Sequence, residues 1–172
     1  MNLVNSIKKS YNVLMLNKFS RLTHNKLLKT GKTIAIAESC SGGQLSSELI
    51  RYPGSSRYFL LGVVAYSNSS KVKILGIPQK TISEYGAVSK QLAELMASSI
   101  RKKTKADLGI SITGFAGPQE AGVRKPIGLV FICLATRNKN ICREFHFRGN
   151  RQDIREKSAQ EGLRLLCAHL SP

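Results

Sequence analysis

The sequence predicts an α/β protein, a three-layer α/β/α sandwich around a mixed, largely parallel sheet. Short apolar runs rich in β-branched residues alternate with segments of helical periodicity through most of the chain. Two further apolar runs near the end are joined by a tight polar turn, which reads as a hairpin and makes the sheet mixed. With 172 residues, 42% of them hydrophobic, the chain suffices for one domain with its own core. Composition shows neither a break nor an internal repeat. The expected organisation is a poorly ordered leader or N-terminal helix over residues 1–16, then a single domain over 17–172.

The leader contains basic residues and no acid, with Asn and Ser between apolar pairs. From about Lys18 to Leu28, Phe19, Leu22, Leu27 and Leu28 fit one helix face, and Gly31 stops it. Thr33–Ala37 reads as a buried strand, and residues 38–43 as a tight turn. A helix follows to about Arg51, ended by Pro53-Gly54. Phe59–Tyr66 is a second strand. The polar turn 67–70 can cap a helix carrying Lys71 to Leu75, closed by Gly76. After a helical turn over 81–85, Ser89 caps a helix to about Lys103, with Leu92, Leu95, Met96 and Ile100 facing inward. Asp107–Thr113 is a third strand and 114–126 a long loop. Ile127–Thr136 and Ile141–Phe147 form the hairpin strands. The last helix, about 151–169, buries Ile154, Ala159, Leu163, Leu166 and Leu170.

Several function classes are disfavoured by composition. No run approaches the roughly 18 apolar residues of a membrane span, so no membrane partner is expected. Cys40, Cys133, Cys142 and Cys167 form no CxxC pair, and His24, His146 and His169 are scattered. No metal site and no cofactor are therefore expected. Scattered thiols and the lack of a signal-peptide cleavage region suit a cytoplasmic location. A net charge of +17 favours an anionic partner: a nucleotide phosphate, a nucleic acid or a membrane surface. The basic residues are spread out without interleaved aromatics, which weighs against a single-strand binder. A lysine-rich coding bias is the plainer source of the charge.

In a parallel sheet, ligands bind beyond the carboxyl ends of the strands. Loops 38–43, 66–71 and 114–126 should share that edge. Ser39 follows a strand directly, and Gly42 and Gly43 open the next helix, where free amides can hold an oxyanion or a phosphate. Spacing alone leaves Ser39 open as a helix cap, a nucleophile or a phosphate ligand. Lys71 lies about one turn beyond Tyr66. If the two strands are neighbours, about 4.8 Å apart, its amine can reach Ser39; otherwise it is a surface lysine.

The motifs at these loops resemble the CinA C-terminal-domain family, the nicotinamide-nucleotide amidases. AESCSGG at 37–43 is similar to its AESCTGG, and PGSSRYF at 53–59 to its GSSxxF. VVAYSNSSKVKILGI at 63–77 resembles YSNxxKxxxLGV, and GAVSKQLAELMA at 86–97 resembles GAVSxxxxxxMA. ISITGFAGP at 110–118, KPIG at 125–128 and FRGNRQDIR at 147–155 complete the series. The resemblance spans roughly residues 25–168. It implies that Ser39 is the nucleophile, that Lys71 activates it and that Tyr66 lies in the pocket. Cys40, Ser41, Gly42, Gly43, Thr113, Gly114, Ala116 and Arg151 are the expected substrate-binding residues. The implied reaction is hydrolysis of the carboxamide of nicotinamide mononucleotide to nicotinate mononucleotide and ammonia. A small nucleotide substrate, no nucleic acid, and a homo-oligomer (dimer or trimer) are the expected partners. The sequence departs from the family pattern at Ser41, at Phe115 and at Gln119-Glu120-Ala121-Gly122, where a glycine pair is usual.

Serine needs a base, and an ordinary lysine is only about 0.04% neutral at pH 7. Lys71 is therefore expected in a desolvating pocket, with Lys73 adding repulsion. Amides near Cys40 to Gly43 would hold the oxyanion, and Arg151 or Lys125 the phosphate. Cys40 is the alternative nucleophile. A non-catalytic nucleotide- or nucleic-acid-binding module, suggested by the charge and by the family's link to competence and DNA damage, is the competing function. A degenerate family member acting as a structural partner is the third.

Overall fold

The computed structural model describes the backbone of residues 3–118 and 125–171, with side chains from Leu14 onward. Among these residues, five strands form one sheet in the order β2-β1-β3-β4-β5. They are β1 (Ile34–Glu38), β2 (Phe59–Val64), β3 (Leu108–Gly114), β4 (Leu129–Ala135) and β5 (Asn140–His146). The expected α/β sandwich and its mixed sheet are present. β1 pairs in parallel with β2 and β3, and the β3–β4 and β4–β5 ladders are antiparallel. Only β4 thus runs against the others, although half the ladders are antiparallel, so the sheet is less parallel than expected. The helices are α1 (Leu3–Thr30), α2 (Gln44–Leu49), α3 (Asn68–Leu75), α4 (Gln79–Tyr85), α5 (Lys90–Thr104) and α6 (Arg151–His169). A short 3-10 turn covers Ser55–Arg57.

Strand alternation sends successive side chains to opposite faces. On the first face, Ile34, Ile36, Ile110, Ile112, Val130, Ile132 and Leu134 pack with residues of α1, α2 and α6. On the second, β1 presents Ala35 and Ala37, and β4 presents Phe131, Cys133 and Ala135 to α5. The first face is built of large branched side chains and the second mostly of small ones. That asymmetry lets α5 lie close against the sheet. A Cβ at Gly109 would meet the Ala97 carbonyl at 2.2 Å and Arg101 Cβ at 2.6 Å. Ser111, also on this face, donates to the Ala93 carbonyl at 2.6 Å.

Two helix faces differ from expectation. In α5, Leu95 is exposed, and Ala93 and Ala97 are buried with Leu92, Met96 and Ile100. The close approach to β3 selects small residues for the inner face. In α1, Leu22 is exposed while Ser20, Thr23, His24 and Leu27 are buried. This stripe is polar because its hydroxyls have partners: Ser20 donates to Glu48 O at 2.6 Å and Thr23 to Leu163 O at 3.3 Å. His24 Nδ1 lies 3.0 Å from the Tyr58 hydroxyl. α1 also begins at Leu3, so the residues read as a leader or a helix are helical from there on. No helix among the described residues is long and apolar enough to cross a membrane.

The caps at Ser67 and Ser89 accept from Ser70 N and Leu92 N as expected. α6 starts with a capping box: Asn150 accepts from Asp153 N at 3.0 Å, and Asp153 accepts from Asn150 N at 2.9 Å. This box sets where α6 begins and hence where Arg151 stands.

Gly109→Ala is expected to lower unfolding stability by about 1–3 kcal/mol, the usual cost of overpacking. A urea melt checks this; an unchanged midpoint would mean that α5 is not pinned at Gly109.

Candidate active site

β1 and β2 pair in parallel to the register Glu38↔Val64, and both chains turn off the sheet at its carboxyl edge. Beyond β1 stands Ser39, 8% exposed, and beyond β2 the chain runs through Ala65 and Tyr66 into α3. The first turn of α3 carries Lys71 back over this strand end. Its side chain is 1% exposed. Lys71 Nζ lies 3.2 Å from Ser39 Oγ and 2.9 Å from each of the carbonyls of Ala65 and Tyr66. Burial lowers the Lys71 pKa from the ordinary lysine value, and the neighbouring Cys40 opposes that shift. Lys73 sits on the exposed face of α3 and is not among the causes, so burial alone performs the role expected of both.

The number of acceptors has chemical meaning. A protonated amine donates three hydrogen bonds, here to two carbonyls and the serine. A neutral amine has two N–H groups and one lone pair. With both N–H groups on the carbonyls, the lone pair is left toward the Ser39 hydroxyl.

The turn after Ser39 is held by Glu38. Its fully buried carboxylate accepts from Gly43 N at 3.1 Å, Leu45 N at 3.2 Å, Ser46 N at 2.8 Å and Ser46 Oγ at 2.6 Å. An acid at a helix N-terminus satisfies free amides and favours the helix dipole. Gly42 N donates to Ser39 O at 3.1 Å. Arg155 Nε, from α6, donates to the Ser41 carbonyl at 3.2 Å, and a Cβ on Gly42 would meet the Arg155 guanidinium at 3.0 Å. Glu38 and Arg155 were not expected. An acid just ahead of a helix start was the available signal for Glu38; nothing local marked Arg155.

A cleft of about 370 Å³ opens over the Ser39–Lys71 pair, within the range of small-molecule sites. Cys40, Tyr66, Thr113, Gly114, Ala116 and Arg151 are on its wall, together with Ala87, Val88 and Phe115, which were not expected as binding residues. Ser41, Gly42 and Gly43 are not on this wall. Ser41 is fully buried, and its hydroxyl has no partner among the described residues. The glycines serve the turn: both have positive φ, and Gly43 is the N-cap of α2. Two wall residues have other duties as well. Thr113 donates its hydroxyl hydrogen to Ala87 O at 2.6 Å. A Cβ on Gly114 would strike Val130 and Leu129 of β4, so this glycine serves strand packing.

Tyr66 is 57% exposed and stands at the mouth. Its hydroxyl accepts from Arg151 at 2.6 Å, and the same guanidinium donates to the Gly117 carbonyl. Lys125 is exposed and is not among the wall residues. Residues 119–122, where the sequence departs from the family pattern, lie outside the described residues. Cys40 is buried in the wall, and burial pushes its thiol up to about 12, which leaves little thiolate near neutral pH. No cluster of His, Cys, Asp and Glu suited to a metal ion occurs among the described residues.

Fold and site together define an α/β domain with a serine–lysine pair buried at the carboxyl edge of a mixed sheet. The sequence matches the CinA C-terminal domain over residues 16–170, and the chain belongs to that family. A CinA-like protein of Desulfotalea psychrophila is 45% identical over 88% of this chain, and one of Thermotoga neapolitana is 46% identical over 84%. The matched parts are 37% and 36% of those proteins, so the chain spans little more than a third of their length. Among crystal structures, the competence or damage-inducible protein from Enterobacter asburiae superposes with a TM-score of 0.86 at 33% identity, covering 91% of this chain and 98% of that one. The competence/damage inducible protein from Agrobacterium tumefaciens gives 0.85 at 31% identity, covering 90% and 94%.

Glu38→Gln replaces one carboxylate oxygen by an amide donor facing N–H groups. An expected loss of about 2–3 kcal/mol is measurable by urea unfolding. Full stability in this variant would show that the carboxylate does not hold the turn.

Proposed function

We propose that this chain is an amidohydrolase that removes ammonia from the carboxamide of nicotinamide mononucleotide. The observation that carries this reading is the buried Lys71 amine 3.2 Å from the Ser39 hydroxyl. Neutral Lys71 takes the hydroxyl proton as Ser39 Oγ bonds to the amide carbon. The resulting oxyanion is held by the backbone N–H of Cys40, the turn residue beside Ser39 on the cleft wall. The later amides of the turn are engaged elsewhere: among the described residues, Glu38 takes those of Gly43, Leu45 and Ser46, and Ser39 O takes that of Gly42. As the C–N bond breaks, Lys71 returns the proton to departing ammonia. Water, deprotonated by the same amine, then releases the nicotinate ester from Ser39.

The amide must enter the cleft with its phosphate outward. Arg151 and the Tyr66 hydroxyl form the polar rim there, and the +17 charge of the chain favours an anionic ligand. Arg151 is therefore assigned to the phosphate in place of Lys125. The chain needs no cofactor or metal for these steps. Burial of the Lys71 amine also speaks for chemistry over simple binding: a lysine recruited only for its charge would stay solvated.

Ser39→Ala and Lys71→Met are each expected to abolish ammonia release, Lys71→Met by about 10²–10⁴-fold for loss of the general base. Circular dichroism checks that both remain folded. Turnover by the Ser39→Ala protein at the parent rate would rule out the serine mechanism. The base works in its neutral form, so kcat/KM is expected to rise with pH through the Lys71 pKa, with a midpoint below the ordinary lysine value of 10.5. A pH–rate profile that continues to climb past that value would contradict a desolvated base.

Arg151→Gln is expected to raise KM for the mononucleotide by about 10–100-fold, as for loss of a charged hydrogen bond. KM for the riboside should not change. Equal losses on both substrates would place the phosphate elsewhere.

A further inference from the structure

Outside the cleft, two thiols stand opposite one another across the last ladder of the sheet. Cys133 of β4 is in register with Cys142 of β5. Antiparallel partners alternate between hydrogen-bonded and non-hydrogen-bonded pairs. The main chain fixes which kind this is. Phe147 N donates to Gly128 O and Thr136 N donates to Lys139 O, so even-numbered β4 positions are the hydrogen-bonded pairs. Cys133–Cys142 is therefore a non-hydrogen-bonded pair, the kind with Cα atoms about 4.5 Å apart and side chains closest. A disulfide requires Cα atoms about 4.4–6.8 Å apart. Both thiols point to the α5 face, where Cys133 is fully buried among Ala93, Ala97 and Phe131 and Cys142 packs at the edge of the cluster. All four cysteines are free thiols in the structure.

We propose that Cys133 and Cys142 form a reversible dithiol–disulfide site that takes low-molecular-weight disulfides such as oxidised glutathione as its oxidant.

The two thiols are unequal, and this sets the order of events. Cys142 is half-buried on β5, an edge strand of the sheet among the described residues, which leaves it the more accessible of the two thiols. Cys133 is shielded. The neighbouring Cys133 thiol lowers the Cys142 pKa from the ordinary thiol value, and the Cys142 thiol together with burial raises that of Cys133. The Cys142 thiolate attacks one sulfur of the oxidant, breaks its S–S bond and displaces one thiolate. A mixed disulfide is left on Cys142. Cys133 then attacks the Cys142 sulfur, its proton passes to the departing second thiolate, and the protein disulfide closes. Two protein thiols lose two electrons, and one small disulfide becomes two thiols. The other cysteines offer no such pair: Cys40 is in the cleft wall, and Cys167 is on α6, across the sheet.

The test is made on the whole folded chain. It is equilibrated in glutathione buffers of stepped oxidation ratio, quenched with an alkylating agent under denaturing conditions, and read by intact mass and peptide mapping. The expected product has lost two hydrogen atoms and carries a cross-link between the Cys133 and Cys142 peptides, reversed by dithiothreitol. Cys40 and Cys167 should be alkylated throughout. In Cys133→Ala the exchange should stop at glutathione on Cys142; in Cys142→Ser, Cys133 should remain unmodified. The proposal is overturned if the parent protein keeps both thiols alkylated in the most oxidising buffer. It is equally overturned if glutathione accumulates on Cys142 of the parent without passing to Cys133. Both decisive readings use the parent protein and do not depend on either variant folding.

Discussion

A lysine amine removed from water has to find oxygen acceptors or lose its charge, because an unpaired buried ammonium costs several kcal/mol. Much of the local architecture at Lys71 answers that requirement. β2 stops at Val64, so the carbonyls of Ala65 and Tyr66 leave the ladder and turn to the amine. The chain remains tied to β1 by one bond, Ala65 N to Glu38 O at 2.8 Å. Ser67 then caps α3, and the first turn of that helix brings Lys71 back over the strand it has just left. A longer strand would take both carbonyls into register with a neighbour. A later helix start would put the amine in solvent.

The serine lies between this base and a buried acid, and the two are kept apart by strand alternation. Glu38 falls on the same face as Ile34 and Ile36, toward α2, where four donors satisfy its carboxylate. Lys71 approaches Ser39 from the β2 side. Had the carboxylate faced the amine, it would favour the protonated form and oppose the effect of burial. Engaged with the helix N-terminus, it fixes the turn that presents the hydroxyl. The same geometry uses up the helix amides that a glycine-rich turn suggests are free.

The order of elements was legible because it rests on local signals: β-branched runs, serine caps and glycine stops. Spacing left the Ser39–Lys71 pairing open, and the resemblance of the AESC and YSNxxK motifs implied it. What escaped was decided by packing between distant segments. The inner stripe of α1 is polar, so apolar periodicity pointed to Leu22, which is exposed. Apolar periodicity in α5 points to Leu95, which is exposed, while the closeness of α5 to Gly109 that selects Ala93 and Ala97 for the inner face is invisible in the sequence. Ser41, Gly42 and Gly43 looked like ligand-binding residues because small residues permit close approach. The groups that approach them are Arg155 and the α2 backbone, supplied from the other end of the chain and from the turn itself.

The position of the cleft follows from the same asymmetry that seats α5. On that face β1 reads Ala35, Ala37 and then Ser39, and β3 reads Gly109, Ser111 and then Thr113. These are two rows of small side chains running toward the carboxyl edge. Over most of their length α5 covers them, and the Ser111 hydroxyl is satisfied by the helix backbone. α5 begins only at Lys90. Beyond that point the rows continue without a helix above them, and Thr113 is tied instead to Ala87 of the preceding loop. The floor of the cleft is thus the uncovered end of a packing surface. A small polar residue in the last position of the β1 row extends the pattern that lets the helix sit close, and there it becomes the hydroxyl beside the buried amine.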